Sequence, residues 1–142
     1  MRNNFNWMHY LEVAQLYVSD LDAQQDVLAE AKQRCYISRA YYSLFIRTRN
    51  YLVKKYNERD LLEKDRERDP AKRKGSHERV FLSCSKKKDA TLREIGANLF
   101  NLFNLRKMAD YEDYMDPWIY GFSQPLISEL DNKLIELYKR LS

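Results

Sequence analysis

The chain has 142 residues, with three Gly and three Pro, and its net charge is +4. This length can bury one hydrophobic core, but β-sandwiches and barrels normally need more turn residues. No Gly-rich phosphate loop is present and the two cysteines form no CxxC pair. Rossmann, P-loop and zinc-ribbon proteins are therefore excluded, and a disulfide framework is disfavoured.

Hydropathy and charge indicate where the protein works. No apolar run approaches the length of a membrane span, and the N-terminus lacks the apolar core of a signal peptide. We therefore expect a reducing, cytoplasmic location without membrane contact, where Cys35 and Cys84 are small buried apolar residues. Basic residues concentrate in 71–88 and acidic residues in 109–136. This asymmetry suits a polyanionic or charged protein partner on one face, or a solvated surface.

Apolar residues at helical spacing predict two helices in the first part of the chain. A stripe through Leu11, Ala14 and Val18 predicts an amphipathic helix over about 4–21. A second pattern, uninterrupted by Gly or Pro, predicts one long helix over about 24–56. The stripe of that long helix is expected at Val27, Ala31, Cys35, Ser38, Tyr42, Phe45, Arg49, Leu52 and Tyr56.

A charged tract follows the long helix. Residues 58–75 mix both signs of charge and contain Pro70, so they predict an exposed, mobile loop within the domain. Ser76 is then a candidate N-cap for a short helix that ends near Cys84. Val80 and Phe81 are expected to face inward from that helix.

The last part of the chain predicts two more main helices. Asp89 is a candidate N-cap for a helix that ends between 111 and 116. Residues 117–124 are expected to form a connector, and Pro125 the first turn of the final helix. The fold class is therefore all-α: an antiparallel bundle of four main helices plus one short helix, as one domain over 1–142.

Two arginines do not fit a plain bundle. Arg106 extends the apolar stripe of its helix, and Arg39 lies three residues before Tyr42, near the expected inward side. A buried charge must be paired or face a cleft, and Asp110 is a candidate partner for Arg106. Because arginine forks bind phosphate and tyrosine rings stack on bases, these residues predict an anion-binding cleft. The alternative is two interhelical ion pairs with tyrosines in the core.

Three segments resemble motifs of the HEPN family. Residues 38–45, SRAYYSLF, resemble the family's Arg followed by a Tyr-Tyr pair and an inward aromatic residue. Residues 105–111, LRKMADY, are similar to the R-x-x-A-D-Y ending of one branch. Between them, residues 76–81, SHERVF, resemble the histidine-bearing helix that follows a variable loop in that branch. The motifs occur in the expected order, and the resemblance covers about residues 5–140.

The resemblance implies a homodimer whose terminal motifs face a shared cleft. Many members are metal-independent ribonucleases of toxin–antitoxin or defence systems, paired with a small nucleotidyltransferase antitoxin and using no cofactor. Their catalytic motif is an Arg followed, after four to six residues, by a His. Arg106 matches the Arg, but Tyr111 stands at the first position of the His window. Tyrosine, with a pKa near 10, is a poor base, so His77 is the candidate substitute if its helix reaches the cleft.

The resemblance also implies regulation by modification. In such systems the nucleotidyltransferase can attach AMP to a tyrosine near the terminal motif, and Tyr114, or else Tyr111, is the expected acceptor. Both tyrosines could instead pack the cleft rim. Three functions stay open: a ribonuclease, a non-catalytic subunit that binds RNA or a nucleotide, and a partner that completes a nucleotidyltransferase. The candidate catalytic residues are Arg106, Tyr111 and His77, and the candidate binding residues are Arg39, Tyr42 and Asp110.

Overall fold

Five α-helices account for most of the computed structural model, which describes residues 5–22 and 26–141. They are α1 (Met8–Val18), α2 (Ala29–Tyr56), α3 (Ser76–Ser85), α4 (Ala90–Tyr111) and α5 (Pro117–Lys139). The described residues contain no strand, so the predicted all-α class is confirmed. Within the same residues, no helix combines the length and apolarity that a membrane crossing requires.

Helix α2 lies at the centre of the bundle and contacts each of the other four helices. It is 28 residues long, or about 42 Å at 1.5 Å per residue. Different parts of this helix can therefore contact different neighbours. Packed against it, α4 and α5 present leucine-rich faces that are fully buried. These faces consist of Leu92, Ile95, Leu99, Leu102, Leu130, Leu134 and Leu137.

The buried stripe of α2 differs from the predicted one in its first half. Val27 is 96% exposed and Cys35 is also exposed, so their predicted burial is wrong. The core residues are instead Tyr36, Ile37, Ala40, Tyr41 and Leu44, because a shift of one position turns the helix by about 100°. Cys84 is buried as expected, and burial raises the pKa of its thiol to about 12.

The helix boundaries agree with the predictions at some ends and not at others. The Asp89 carboxylate accepts hydrogen bonds from the backbone N–H groups of Thr91 and Leu92, at 2.9 and 3.4 Å, and caps α4 as predicted. Gly75, not Ser76, is the N-cap of α3. Helix α1 is shorter than predicted, while the predicted starts at residues 4 and 24 lie outside the described residues.

The predicted connector over 117–124 is wrong, because these residues form the first two turns of α5. Asp116 is the N-cap: its carboxylate accepts a hydrogen bond from the Trp118 N–H at 3.2 Å, and Pro117 occupies the first helical position. Pro125 therefore lies inside the helix, where it removes one hydrogen bond to the carbonyl of Gly121. Both residues are exposed, so water can satisfy that carbonyl.

The charged tract between α2 and α3 is largely exposed, as predicted, but it is not without structure. Two short 3-10 helices lie within it, at Arg59–Leu62 and Pro70–Lys72, and Leu61 is buried. Arg79 of α3 donates hydrogen bonds to the carbonyls of Glu63 and Asp60, both at 2.5 Å. These contacts anchor the first part of the tract to α3, while its mobility stays a prediction.

Candidate functional site

Arg106 lies on the inner side of α4 and is 6% exposed. Its guanidinium carbon is 5.3 Å from the ring centroid of Tyr41, 5.4 Å from that of Tyr42 and 5.2 Å from that of Phe103. Three rings at this distance stabilise the cation through their electron-rich faces. The Tyr-Tyr pair of α2 and the terminal motif of α4, which lie far apart in the sequence, therefore meet around one charge.

The polar partners of Arg106 leave part of its hydrogen-bonding capacity unused. Nη1 donates to Oδ2 of Asp110 at 3.2 Å, and the same oxygen accepts a hydrogen bond from the Ser38 hydroxyl at 3.3 Å. Nε is buried and has no hydrogen-bond partner among the described residues. A buried donor without a partner costs about 1–3 kcal/mol, so Arg106 is not fully explained as half of an ion pair.

His77, in the first turn of α3, reaches the same cluster. Its Nδ1 lies 2.6 Å from the hydroxyl oxygen of Tyr41. Its ring stacks on Phe45, with centroids 4.1 Å apart, and on Phe103, at 5.0 Å. We call Tyr41, Tyr42, His77, Phe103, Arg106 and Asp110 the Arg106 cluster.

Electrostatics in the Arg106 cluster favour a neutral histidine. Burial, with a further contribution from the charge of Arg106, lowers the pKa of His77 from 6.5 to about 4. Burial raises the pKa of Tyr41 far above its ordinary value of 10, although Arg106 opposes this shift. At neutral pH the cluster therefore holds the Arg106–Asp110 ion pair, a neutral imidazole and an undissociated Tyr41 phenol. The guanidinium can bind an anion that displaces Asp110, and the imidazole can accept a proton, but its low pKa makes it a weaker base than an ordinary histidine.

The structure separates the predicted site residues into two groups. His77, Tyr42, Arg106 and Asp110 belong to the Arg106 cluster. Arg39 is exposed, and its guanidinium carbon lies 5.9 Å from the ring of Tyr10 on α1, so its predicted inward position is wrong. The cause is the same one-position shift in the buried face of α2.

The two tyrosines at the end of α4 also lie outside the Arg106 cluster. Tyr111 is 74% exposed and Tyr114 is 72% exposed, so neither is packed. Because these exposures are almost equal, accessibility does not favour Tyr114 over Tyr111 as an acceptor. Both side chains are available to a modifying enzyme.

Sequence reasoning overlooked Tyr41 and Arg34, which shape the site, and Arg47, which pairs with α5. Tyr41, fully buried, is the member of the tyrosine pair that contacts both His77 and Arg106. Arg47 is the buried arginine of α2, and its Nη1 lies 2.8 Å from Oδ1 of Asp131 on α5. Its spacing of three residues from Leu44 could have indicated this position.

Arg34 is the third overlooked residue. Its Nη1 donates to the carbonyls of Ala109 and Glu112, at 2.8 and 2.6 Å, and its Nη2 donates to that of Asp113 at 3.3 Å. An arginine at the C-terminal end of a helix satisfies carbonyls that have no partner within the helix. Arg34 therefore fixes the end of α4, on which Arg106 and Asp110 lie. No local sequence pattern signals such a long-range cap.

A groove of about 700 Å³ runs between α3 and α4 beside the cluster. His77 and Phe103 belong to both the groove wall and the Arg106 cluster. Gly96 lies in the floor of the groove, where α3 and α4 approach closely: a Cβ on Gly96 would lie 2.5 Å from Cβ of Cys84. The small residue therefore sets the distance between the two helices that form the groove.

Comparisons with protein-family models, with curated proteins and with solved structures find no match to this chain. The HEPN resemblance accordingly depends on the three motifs, and function must be argued from the Arg106 cluster itself. Within the described part of the chain, no group of three or more His, Cys, Asp or Glu side chains could hold a metal ion.

Proposed function

We propose that this protein is a HEPN-like, metal-independent ribonuclease of a cytoplasmic toxin–antitoxin or defence system. The observation that supports it best is the meeting of His77 and Arg106, from two different helices, in one aromatic cluster. The family's His after the Arg is missing, and His77 supplies the imidazole from α3. The pairing gives a base and a cation, which are the two groups that RNA cleavage without a metal requires.

The proposed reaction is an attack of a ribose 2′-oxygen on the adjacent phosphorus. The 2′-hydroxyl proton moves to Nε2 of His77, the bond to the 5′-oxygen breaks, and that oxygen takes a proton from water while His77 returns its proton to the solvent, so that a 2′,3′-cyclic phosphate and a 5′-hydroxyl form. This role requires the imidazole proton to be on Nδ1, where it donates to the Tyr41 oxygen and leaves Nε2 free to accept. Arg106 stabilises the charged phosphorane, with Nε as the donor that still lacks a partner.

Purified protein incubated with single-stranded RNA in EDTA tests this proposal. We expect fragments that end in a 2′,3′-cyclic phosphate, because that end follows from attack by the 2′-oxygen. RNA with 2′-O-methyl groups should stay intact, since it lacks the nucleophile. His77→Asn should lower the cleavage rate at least 100-fold, in the range for loss of a general base. Intact RNA in the wild-type reaction would contradict a ribonuclease.

A specific observation favours a second candidate, a non-catalytic subunit that binds RNA or a nucleotide. Burial lowers the pKa of His77 to about 4, so its imidazole is a weak base at neutral pH. A binding subunit needs no base, and the low pKa of His77 would then only reflect packing. Calorimetry that detects nucleotide binding, together with intact RNA in EDTA, would select this candidate.

The proposed assembly is a homodimer that a nucleotidyltransferase antitoxin controls. Exposed aromatic residues near the junction of α4 and α5 support a protein partner, because buried aromatic side chains dominate many interfaces. These residues are Tyr111, Tyr114, Trp118 and Phe122. Light scattering at micromolar concentration should give a dimer, and a strictly monomeric protein at all concentrations would contradict a shared cleft.

We propose Tyr114, or else Tyr111, as the acceptor of AMP from that nucleotidyltransferase. Both side chains are accessible, and an added phosphate would place negative charge near the Arg106 cluster. If a nucleotidyltransferase is encoded beside this gene, co-expression of the two proteins followed by intact-mass analysis should show an AMP-sized increase. An increase that persists in the Tyr111→Phe, Tyr114→Phe double variant would refute both acceptors.

A further inference from the structure

The groove between α3 and α4 has walls of aromatic rings. His77 and Phe103 form one end, and Phe81 and Phe100 continue the wall, with ring centroids 5.8 Å apart in an edge-to-face arrangement. Phe100 is 48% exposed. A half-exposed aromatic residue in a concave, apolar surface offers a face on which a flat ring can stack.

Small residues line the groove beside the aromatic rings. They are Gly75, Gly96 and Ala97, and Ala97 is exposed one turn before Phe100 on α4. Because these residues are small, they leave room next to the Phe100 ring for a planar group.

Charges around the groove favour an anionic ligand. Arg93 lines it, and Lys107 lies at the Phe103 end, with Nζ 4.7 Å from the ring centroid. Glu78 is the one carboxylate in the lining. A ligand that combines a planar ring with a phosphate complements both the walls and the rim.

We propose that this groove binds a nucleobase of single-stranded RNA next to the phosphate held at Arg106. The inference rests on the proposed function, and it makes Phe100 a residue that determines where the RNA is positioned. His77 and Phe103 connect the two sites, since each contributes to the groove and to the Arg106 cluster. A base stacked on Phe100 would fix the neighbouring ribose and phosphate relative to His77.

An uncleavable ligand tests the groove separately from catalysis. The probe is a fluorescent 2′-O-methyl RNA hexamer, together with a series of the same hexamer in which one residue at a time is abasic. Dissociation constants are measured by anisotropy with wild-type protein, Phe100→Ala and Phe5→Ala. Phe5 is a matched control, because it is similarly exposed, at 52%, but lies before α1 and does not line the groove.

We expect one abasic position to weaken binding to the wild-type protein about tenfold, as for loss of one stacked base. The same position should cause no further loss in Phe100→Ala, whereas Phe5→Ala should keep the full effect. Ala97→Trp, which fills the groove from an exposed position, should weaken binding of the intact hexamer by a similar factor. Circular dichroism establishes that each variant is folded.

Different outcomes separate this inference from the proposed ribonuclease. If RNA is cleaved but the abasic effect is equal in wild type and Phe100→Ala, the groove proposal is overturned and the ribonuclease stands. If RNA is not cleaved but the abasic effect disappears in Phe100→Ala, the groove proposal stands alone. If adenosine 5′-monophosphate binds in the groove and the RNA hexamer cannot displace it, RNA is not the ligand of the groove and the proposal is overturned.

Discussion

The hydroxyl oxygen of Tyr41 lies 2.6 Å from Nδ1 of His77, and this contact joins α2 to the first turn of α3. Because Tyr41 also faces the guanidinium of Arg106, it fixes the imidazole and the cation relative to each other. A hydrogen bond at one imidazole nitrogen determines which tautomer is present. The central tyrosine is therefore the structural link between the three sequence motifs.

The stability of the fold should depend on pH through His77. Its pKa is about 4 in the folded protein and 6.5 when unperturbed, so the unfolded chain binds the proton first as the pH falls. Stability that is present above pH 6.5 is lost progressively down to about pH 4. The loss is at most about 3 kcal/mol, and partial exposure of the ring reduces it to about 1–2 kcal/mol.

Urea unfolding between pH 7 and pH 4 measures this effect, with His77→Asn as the reference. All other ionisable groups are the same in both proteins, so the difference between wild type and variant isolates His77. The wild type should lose more stability than the variant as the pH falls. Parallel losses in the two proteins would show that the imidazole is not shielded.

Two of the four arginines of α2, Arg39 and Arg47, should differ sharply in their effect on stability. Arg47→Ala leaves Asp131 without its partner in a largely buried position, so we expect a loss of about 3 kcal/mol in the free energy of unfolding. Arg39→Ala removes only an exposed contact with Tyr10 and should change stability by less than about 0.5 kcal/mol. Denaturant melts of both variants give the comparison, and equal effects would contradict the assignment of Arg47 as the buried arginine.

The two helical glycines, Gly96 and Gly121, should respond oppositely to alanine. A methyl group on Gly96 would meet Cβ of Cys84 at 2.5 Å, so Gly96→Ala forces α3 and α4 apart and should cost about 1–3 kcal/mol. Gly121 has nothing within 4 Å of such a group, so Gly121→Ala should stabilise α5 by up to about 1 kcal/mol. Thermal melts measure both changes. Stabilisation by Gly96→Ala would show that the helices are not closely packed there.

Local sequence signals predicted the elements, but not their exact contacts. Periodic leucines placed α4 and much of α5, and Asp89 marked a helix start, because these features depend on neighbouring residues. The predicted start of α5 at Pro125 is wrong because Asp116 and Pro117 form the cap and first position of this helix, and Pro125 lies within it. The face of α2 was misassigned because a stripe drawn from Val27 is displaced by one residue, which also moved Arg39 inward.

The candidate site was only partly predictable for a related reason. Arg106 was identifiable because a charge on an apolar stripe needs an explanation. The contact of His77 with Tyr41 could not be derived from the sequence. It depends on the path of residues 57–75, which bring α3 back against α2. The Tyr41 contact and the Arg34 cap likewise join residues that are distant in sequence.

The rate of RNA cleavage by Arg106→Ala in EDTA tests the central claim most directly. Arg106 is the one cation in the Arg106 cluster, and it is the group proposed to stabilise the charged phosphorane. Its removal should therefore lower the rate by about 100-fold or more. Asp110→Asn is the matched control, because it weakens the same ion pair without removing the guanidinium, and it should retain most of the activity. Circular dichroism must show that both variants are folded. Cleavage by folded Arg106→Ala at the wild-type rate would contradict the account.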